Sequence, residues 1–355
     1  MLLIYGANGY TGRLIVARAL ARGLKPVLSG RNAAEVRQMG AGLGLETRPA
    51  SLDNPRLLDA VLAGATTVVH CAGPFSHTAQ AMTDACLRAR AHYLDITGEI
   101  GVFEALASRS WEAEQAGVML LPGAGFDVVP SDCLAAHLKR RLPGATSLTL
   151  AFHAGTSPSR GTATTMVENV GEGGAVRRDG RIRRVPAAWR EREIDFGDKV
   201  RHVVTIPWGD VSTAYFSTGI PNIEVYTAAS RGTARAMRLA QSLGWLLSAK
   251  PVQSFLKSRL RRGAPGPSDV QRARSQARLW GEVVSDQGQR ACSRLTAPDA
   301  YTLTALSVVA AAEKCLAGLA KPGFQTPSSV FGADFIVEID GVTREDLPLA
   351  AGVAG

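Results

Sequence analysis

The stretch LLIYGANGYTG, residues 2–12, decides the fold of the first part of the chain. Its leading apolar residues predict a buried strand, and its glycines predict a sharp turn from that strand into a helix. Gly6 permits the tight turn, Gly9 lets backbone N–H groups reach phosphate oxygens, and Gly12 lets the helix pack closely on the strand. The helix N-terminus adds unpaired donors and a partial positive charge. The stretch therefore predicts a dinucleotide site, although similar glycine turns occur in folds that bind nothing.

A second apolar strand at residues 26–28 follows an amphipathic helix and ends in Ser29-Gly30-Arg31-Asn32. About 20 residues beyond the glycines, an NAD-binding domain normally has an acid that binds the ribose 2′-hydroxyl. Here the local charge is Arg31, and a guanidinium suits a 2′-phosphate. We therefore predict NADP as the cofactor. The alternative is a solvated arginine at a strand end.

The first third of the chain alternates short apolar strands with longer helical patterns, which is typical of a parallel sheet with crossover helices. We expect strands at residues 2–5, 26–28, 45–47, 67–70, 93–96 and 118–121. From about residue 145 the pattern changes to period-two strands and hairpins, which predicts a mostly antiparallel second domain. The predicted fold class is α/β, with an N-terminal Rossmann-type doubly wound parallel sheet and a second α+β domain.

These patterns also predict the domain boundaries. We assign residues 1–130 to the NADP-binding domain and residues 131–310 to a substrate domain. We expect residues 311–355 to return and pack on the first domain, with a helix at 300–319 and strands near 335–339.

The composition is that of an ordinary globular enzyme, at 46% hydrophobic and 20% charged residues over 355 positions. Five cysteines without a CxxC pair argue against a zinc site or a disulfide scaffold. The first strand begins at residue 2, and no apolar run reaches the length of about 18 residues that a membrane span needs. We therefore expect a cytoplasmic protein, with peripheral membrane association as the alternative.

The net charge of +9 comes from one segment, residues 231–274, which contains ten basic residues and the single acid Asp269. Apolar residues, among them Trp245 and Phe255, lie between the charges at spacings close to a helical period. An ordinary surface helix pair with a solvated basic face would explain this pattern. The alternative is a surface that meets an anionic membrane or an acidic carrier protein. Because no helix-turn-helix, zinc-finger or aromatic RNA-binding motif occurs, we do not expect a nucleic-acid partner.

Several stretches, in this order and spacing, point to one family. They are GANGYTG at 6–12, SGR at 29–31, CAGPF at 71–75, YLDITGE at 93–99, GAGFDVVPSD at 123–132, SRGTATTM at 159–166 and PGFQTPSSVFG at 322–332. With them the chain resembles the saccharopine dehydrogenase-like NADP-binding oxidoreductases, and within that family it is most similar to trans-acting enoyl reductases.

The resemblance implies roles for residues in each loop. Those expected to hold the pyrophosphate are Gly6, Asn8, Gly9, Tyr10, Thr11 and Gly12. Those expected at the adenosine end are Ser29 and Arg31 for the 2′-phosphate and Asp53 for the adenine side. Those expected beside the nicotinamide ribose are Ala72, Gly73 and Pro74.

The expected substrate residues are Phe75, His77 and Arg160. Phe75 replaces a tyrosine that is frequent in the family, and Arg160 stands where many members have glycine. His77 follows Phe75 in the same loop, and its alternative role is that of a helix-start or packing residue.

Hydride transfer from a nicotinamide needs orientation and a proton source. Asp127 and Glu99 are the candidate acids, because each follows a predicted sheet strand at its carboxyl end. Asp127 also matches an aspartate that lies at the substrate in saccharopine-forming relatives. Either residue could instead cap a helix.

Two chemistries are not expected. No tyrosine has a lysine four residues on, which excludes the short-chain dehydrogenases, and no HExxH or close histidine pair predicts a catalytic metal. The sequence thus predicts an NADPH-dependent reductase of a C=C or C=N bond in an acyl-like or amphipathic substrate, either a small molecule or carrier-bound. The alternative is a non-catalytic NADP(H)-binding sensor or membrane-surface protein. The oligomeric state stays open, with a homodimer as one option.

Overall fold

The structure is a computed structural model that describes residues 1–169, 171–247, 249–261 and 263–348. Its strands, numbered along the chain, are β1 (Leu2–Tyr5), β2 (Val27–Ser29), β3 (Thr67–His70), β4 (His92–Asp95), β5 (Met119–Leu121), β6 (Ala145–His153), β7 (Gly174–Arg178), β8 (Arg181–Val185), β9 (Glu191–Asp195), β10 (Val200–Thr205), β11 (Asn222–Ala228), β12 (Gln276–Ser285), β13 (Arg290–Pro298), β14 (Gly323–Phe324) and β15 (Thr343–Leu347).

The helices are numbered in the same way. They are α1 (Tyr10–Ala21), α2 (Ala33–Leu43), α3 (Pro55–Leu62), α4 (Phe75–Ala89), α5 (Ile100–Ala107), α6 (Ser110–Ala116), α7 (Val129–Arg141), α8 (Arg160–Glu168), α9 (Asp210–Thr218), α10 (Arg231–Ser242), α11 (Gly244–Leu247), α12 (Lys250–Arg261), α13 (Asp269–Ala273), α14 (Ala300–Leu316) and α15 (Pro327–Phe331), with a 3-10 helix at Phe335–Glu338.

The first compact unit comprises Met1–Val129 and Tyr301–Val330. Its six-stranded sheet has the order β14-β5-β4-β3-β1-β2, and each neighbouring pair is parallel. Every residue of β1 and of β3 is buried, as expected for a parallel sheet covered by helices on both faces. The prediction of a Rossmann-type parallel sheet is confirmed.

One predicted strand of this sheet is wrong. Residues 45–47 do not form a strand. Their pairing with β2 is a single isolated bridge between Leu28 and Thr47. The sixth strand comes instead from β14, which pairs with β5. Its two residues lie about 200 positions farther along the sequence than β5, too far and too short for a local pattern to reveal.

The second unit comprises Pro130–Ala300 and Phe331–Gly355. Its nine-stranded sheet has the order β15-β13-β12-β6-β11-β10-β9, with β7 on β11 and β8 on β7. The residues of β12 alternate between buried and accessible positions, so one face of the sheet is covered and the other is open. Leu134 and Leu138 of α7 lie against Gly281 on the covered face. The prediction of a mostly antiparallel α+β domain is confirmed, with β6 and β11 as the parallel pair.

The expectation that residues 311–355 return to the first domain is wrong for the residues after Val330. The first unit ends at Val330. The strands expected near 335–339 are a 3-10 helix, and β15 pairs with β13 in the second sheet. Ion pairs explain this placement, since Arg344 contacts Asp334 at 2.6 Å and Asp346 contacts His137 at 2.7 Å.

Candidate functional site

The turn after β1 brings two stretches of backbone into direct contact. Gly6 has a φ of +80°, and its amide donates to the Ser29 carbonyl at 2.9 Å. A Cβ on Gly12 would lie 2.2 Å from the Gly6 carbonyl oxygen. Because a side chain disfavours the first conformation and has no room in the second position, both residues have to be glycine.

Helix α1 begins directly after this turn without a side-chain cap. Its N-cap residue is the exposed Gly9, and its first turn contains no acid. The first amides of a helix lack partners inside the helix, and the helix dipole adds a partial positive charge there. This end of α1 therefore fits a phosphate group. Asn8, Tyr10 and Thr11 are partly buried around it, and the Tyr10 ring packs edge-on against Tyr301 at 5.1 Å.

The expected adenosine-binding residues differ in whether their side chains are available to bind a ligand. Arg31 is exposed directly after β2, and its guanidinium forms no hydrogen bond or ion pair within the described ranges. Asp53 is also exposed and accepts a hydrogen bond from the Ser51 hydroxyl at 2.9 Å. Ser29 is fully buried, and its hydroxyl donates to the Arg48 carbonyl at 2.6 Å. Because a hydroxyl has one proton to donate, the expected donation from Ser29 to a phosphate is corrected.

An acid that the sequence analysis did not use lies at the same end of the sheet. The two Glu35 oxygens accept hydrogen bonds from the side-chain amides of Asn8, at 2.8 Å, and Asn32, at 2.5 Å. Asn32 in turn caps α2 by accepting from the Glu35 amide. The Asn-x-x-Glu spacing is a capping pattern that could have shown this. A carboxylate here opposes a 2′-phosphate, so the cofactor preference depends on Arg31 and Glu35 together.

The loop after β3 joins the sheet to α4. Ala72, Gly73 and Pro74 are at least partly exposed on it. Phe75, by contrast, is 8% exposed and packs edge-on against His70, with 5.4 Å between ring centres. The structure therefore places Phe75 mainly in the core of the first unit, and only the three residues before it are open to a ligand.

Glu99 binds the start of α4. Its Oε1 accepts from the Phe75 amide at 2.7 Å and its Oε2 from the Ser76 amide at 2.9 Å. It does not cap its own helix α5. The expected alternative, that Glu99 caps the helix beginning at residue 99, is therefore wrong, because its oxygens bind the start of a helix 24 residues earlier in the chain. With both oxygens engaged, Glu99 is better suited to hold the loop of residues 71–75 than to move a proton.

Asp95 at the end of β4 is a positioning residue that the sequence analysis missed. Its Oδ1 accepts from the amides of Thr97, at 2.9 Å, and Gly123, at 2.8 Å, and its Oδ2 accepts from the Tyr93 hydroxyl at 2.7 Å. Burial raises the pKa of Asp95 to about 6 against the lowering effect of these bonds. One carboxylate thus ties together the loops after β4 and β5. The sequence feature that could have revealed Asp95 is an acid at the last position of a buried strand.

Asp127 lies in the loop after β5, next to Gly98, where a Cβ would be 3.0 Å from its Oδ2. Within the described ranges its carboxyl accepts no hydrogen bond and pairs with no cation, so it caps no helix. Burial raises the pKa of Asp127 to about 7, because no positive charge or donor stabilises the ionised form. Thr304 fixes the preceding residue by accepting from the Phe126 amide at 3.0 Å. Of the two candidate acids, Asp127 is the one with a free carboxyl.

The remaining expected substrate residues lie in different units. His77 is exposed in the first turn of α4. Arg160 begins α8 in the second unit, where its guanidinium donates to the Gly263 carbonyl at 2.7 Å and its Nε is buried without a partner.

Fold and site together define a protein with a Rossmann-type dinucleotide-binding domain and a second, mostly antiparallel domain. Residues 2–121 match the family model of the saccharopine dehydrogenase NADP binding domain. The predicted resemblance is therefore confirmed, since residues 2–121, which make up most of the first unit, are similar to the saccharopine dehydrogenase NADP binding domain.

Curated relatives match over part of their length. A trans-acting enoyl reductase of Mycobacterium leprae is 29% identical over 149 residues, which cover 40% of this chain and 36% of the relative. A human saccharopine dehydrogenase-like oxidoreductase is 24% identical over 163 residues, which cover 40% of this chain and 38% of the relative. The match thus spans little more than a third of these relatives.

Two solved structures share the fold over nearly the whole chain. Apo saccharopine dehydrogenase (L-Glu forming) of Saccharomyces cerevisiae has a TM-score of 0.67 at 12% identity and covers 98% of this chain, with 99% of its own chain matched. A homospermidine synthase of Legionella pneumophila in complex with NAD has a TM-score of 0.62 at 10% identity and covers 100% of this chain, with 95% of its own chain matched.

Proposed function

We propose that this protein is an NADPH-dependent oxidoreductase that reduces a C=C or C=N bond in an acyl-like or amphipathic substrate. The proposal rests on Asp127, a carboxyl without a hydrogen bond that follows a strand of the same sheet as the glycine turn. In such sheets, ligands bind outside the carboxyl ends of the strands.

Residues of the first unit have separate roles in the proposed reaction. The uncapped end of α1 would hold the pyrophosphate and Arg31 the 2′-phosphate, and the loop at Ala72, Gly73 and Pro74 would contact the nicotinamide ribose. Bound NADPH supplies the hydride. Asp127, with its pKa raised to about 7, supplies the proton to the atom that gains negative charge. Glu99 and Asp95 keep the loops in place.

The first test is binding of the cofactor. We expect NADPH at 100 times its dissociation constant to stabilise the folded protein by about 2.7 kcal/mol. Thermal denaturation with NADPH, and with NADH as the control ligand, measures this. NADPH that produces neither a thermal shift nor a fluorescence change would contradict the proposal. Binding without turnover of any enoyl thioester or imine in a broad panel would favour the sensor alternative.

The segment 231–274 supports a second proposal, a membrane-binding surface. Helices α10 to α12 form this surface. Its exposed apolar side chains are Leu239, Leu243, Trp245, Leu246 and Phe255. Trp245 is 78% exposed and Phe255 is 64% exposed. A single exposed side chain of this kind is ordinary, but several within one short segment favour an interaction surface.

The cations on this surface favour an anionic partner. Arg235 and Arg259 are exposed, and neither guanidinium forms a hydrogen bond or ion pair within the described residues. Arg262, another basic residue of the segment, lies outside the described residues. Among the described helices, none is long and apolar enough to span a bilayer. We propose that the surface of α10 to α12 lies on an anionic bilayer, with Trp and Leu at the headgroups and arginines on the phosphates.

Vesicle flotation tests the membrane surface. We expect the protein to float with vesicles containing one third phosphatidylglycerol, to release at high salt, and not to float with pure phosphatidylcholine. The triple substitution Trp245→Ser, Leu246→Ser, Phe255→Ser should weaken binding about 10-fold or more. Trp111→Ser removes an equally exposed tryptophan, at 72%, from the first unit and serves as the control. Equal flotation of the triple variant and wild type, or binding to an acidic carrier protein instead of vesicles, would overturn the proposal.

A further inference from the structure

The open face of the second sheet contains a cavity of about 650 Å³. Strands β6, β9 and β11 form its floor, with β7 at its side. Three arginines line it, namely Arg178, Arg190 and Arg192, together with Thr149, Glu224 and Tyr226. All of these residues belong to the second unit. Neither the family match at residues 2–121 nor the proposed reduction assigns them a role.

Glu224 fixes two of the arginines. This residue is 6% exposed, and its Oε1 accepts from both Arg178 and Arg190, the latter at 2.7 Å. Its Oε2 accepts from the Tyr226 hydroxyl. One carboxylate therefore balances two guanidinium groups, and a positive charge remains in the cavity.

Within the described residues, the arginines keep side-chain donors that no protein atom uses. Of the three guanidinium nitrogens of Arg190, only Nη1 has a hydrogen bond there, and the guanidinium lies 4.3 Å from the centre of the Trp189 ring. Arg192 contacts the Thr149 hydroxyl at 3.5 Å and Glu282 at 3.7 Å, both at or beyond the limit of a hydrogen bond. The Trp189 ring fixes the plane of the Arg190 guanidinium, while the Arg192 guanidinium remains available to a ligand.

The acids beside the cavity are engaged elsewhere. Glu191 pairs with His202 at 2.7 Å and with Arg238 at 2.5 Å. Glu282 pairs more closely with Arg290, at 3.2 Å, than with Arg192. Like charges held together without compensation are unfavourable, and an anion that enters the cavity removes that cost.

We propose that this cavity is a binding site for a small anionic ligand that presents a carboxylate or phosphate group to Arg190 and Arg192. Planar guanidinium groups bind both anions through paired hydrogen bonds. Thr149 lies on the same floor and provides a hydroxyl for the rest of the ligand, whereas the Tyr226 hydroxyl already donates to Glu224. Glu224 is a positioning residue, since it holds Arg178 and Arg190 in place and does not itself attract an anion.

Titration calorimetry with citrate and pyrophosphate as probes, at constant ionic strength in chloride, tests the site. We expect at least one probe to bind with 1:1 stoichiometry, and Arg192→Gln to weaken that binding at least 10-fold. Citrate binding alone would assign the site to carboxylates, and pyrophosphate binding alone to phosphates. Arg181→Gln makes the same charge change at an exposed arginine of β8 and should leave the affinity unchanged.

The glycine turn and Arg31 could also bind pyrophosphate, so a second variant separates the two sites. Binding that Arg31→Ala leaves intact and Arg192→Gln removes belongs to the cavity. Loss in Arg31→Ala with no change in Arg192→Gln, an equal loss in Arg192→Gln and Arg181→Gln, or no binding of either probe would overturn the proposal. Labelling of Arg190 and Arg192 by phenylglyoxal, which the bound probe should slow at least 5-fold in wild type, provides a readout that does not depend on a variant's folding.

Discussion

Replacing Asp127 with asparagine is expected to lower turnover about 100-fold or more, while NADPH affinity and the fold stay intact. Asparagine keeps the shape of the side chain, but its amide protons are not acidic enough to be transferred. The measurement is NADPH oxidation with the fastest substrate from a panel of enoyl thioesters and imines. Asp59→Asn, which removes an exposed carboxylate on α3, is the control and should retain full activity.

The pH dependence distinguishes a proton donor from a merely structural aspartate. Because the pKa of Asp127 is raised to about 7, the donor is protonated below that pH, and turnover should fall as the pH rises through about 7. The asparagine variant should lose this inflection. Near-normal turnover in Asp127→Asn would remove the residue from the mechanism and leave Glu99 as the next candidate, despite its two hydrogen bonds to α4.

Stability gives an independent readout of the same group. A carboxyl whose pKa is higher in the folded protein stabilises the fold fully below its unfolded value, near 3.8, and this contribution is lost as the pH rises through about 7. Relative to wild type, Asp127→Asn should therefore be more stable at pH 8 than at pH 5. Chemical denaturation at both pH values measures the difference.

Arg31→Ala should weaken NADPH binding by roughly 1.5 to 3 kcal/mol, or about 10- to 150-fold, with much less effect on NADH. The loss comes from one charge-assisted contact to the 2′-phosphate, which NADH lacks. Calorimetry or fluorescence titration with both cofactors measures it. Arg37→Ala removes an exposed arginine from the following helix, α2, and is the matched control.

Glu35 makes this test sharper. Since its carboxylate opposes a 2′-phosphate, Glu35→Gln should leave NADPH binding unchanged or tighter and weaken NADH if the carboxylate holds the ribose hydroxyl. Equal losses of NADPH and NADH affinity in Arg31→Ala would show that Arg31 is structural and that the preference for NADP has another origin.

The parts of the site that the sequence predicted are those built from neighbouring residues. The turn from β1 to α1 is determined within twelve positions, because Gly6 needs a positive φ and Gly12 has no room for a Cβ. The exposed position of Arg31 follows from the end of β2 in the same local way. Period-two alternation likewise revealed the second sheet, most regularly in β12 and β13, where buried and accessible residues alternate.

What the sequence did not reveal depends on partners distant along the chain. Glu99 has the character of a cap, but only the folded sheet brings it to α4. The sequence predicts Ser29 as a phosphate ligand, but its hydroxyl donates to the Arg48 carbonyl. The arginine cavity was invisible as well, since Arg178 and Arg190 meet only because both reach Glu224. Hydrogen bonds of this kind leave no periodic signal.

The position of β14 in the sequence affects the order in which the first unit folds. β14 and α14 follow the entire second domain in the sequence, so the nucleotide-binding sheet is discontinuous along the chain. During synthesis the edge of β5 stays uncovered, and the loop before Asp127 lacks Thr304 and Ser307, until most of the protein has left the ribosome. Formation of such distant contacts is slow and leaves a strand edge open to other chains. The loop that contains Asp127 is therefore among the last features of the domain to be set in place, and a fragment that ends at β5 would be aggregation-prone and without this loop.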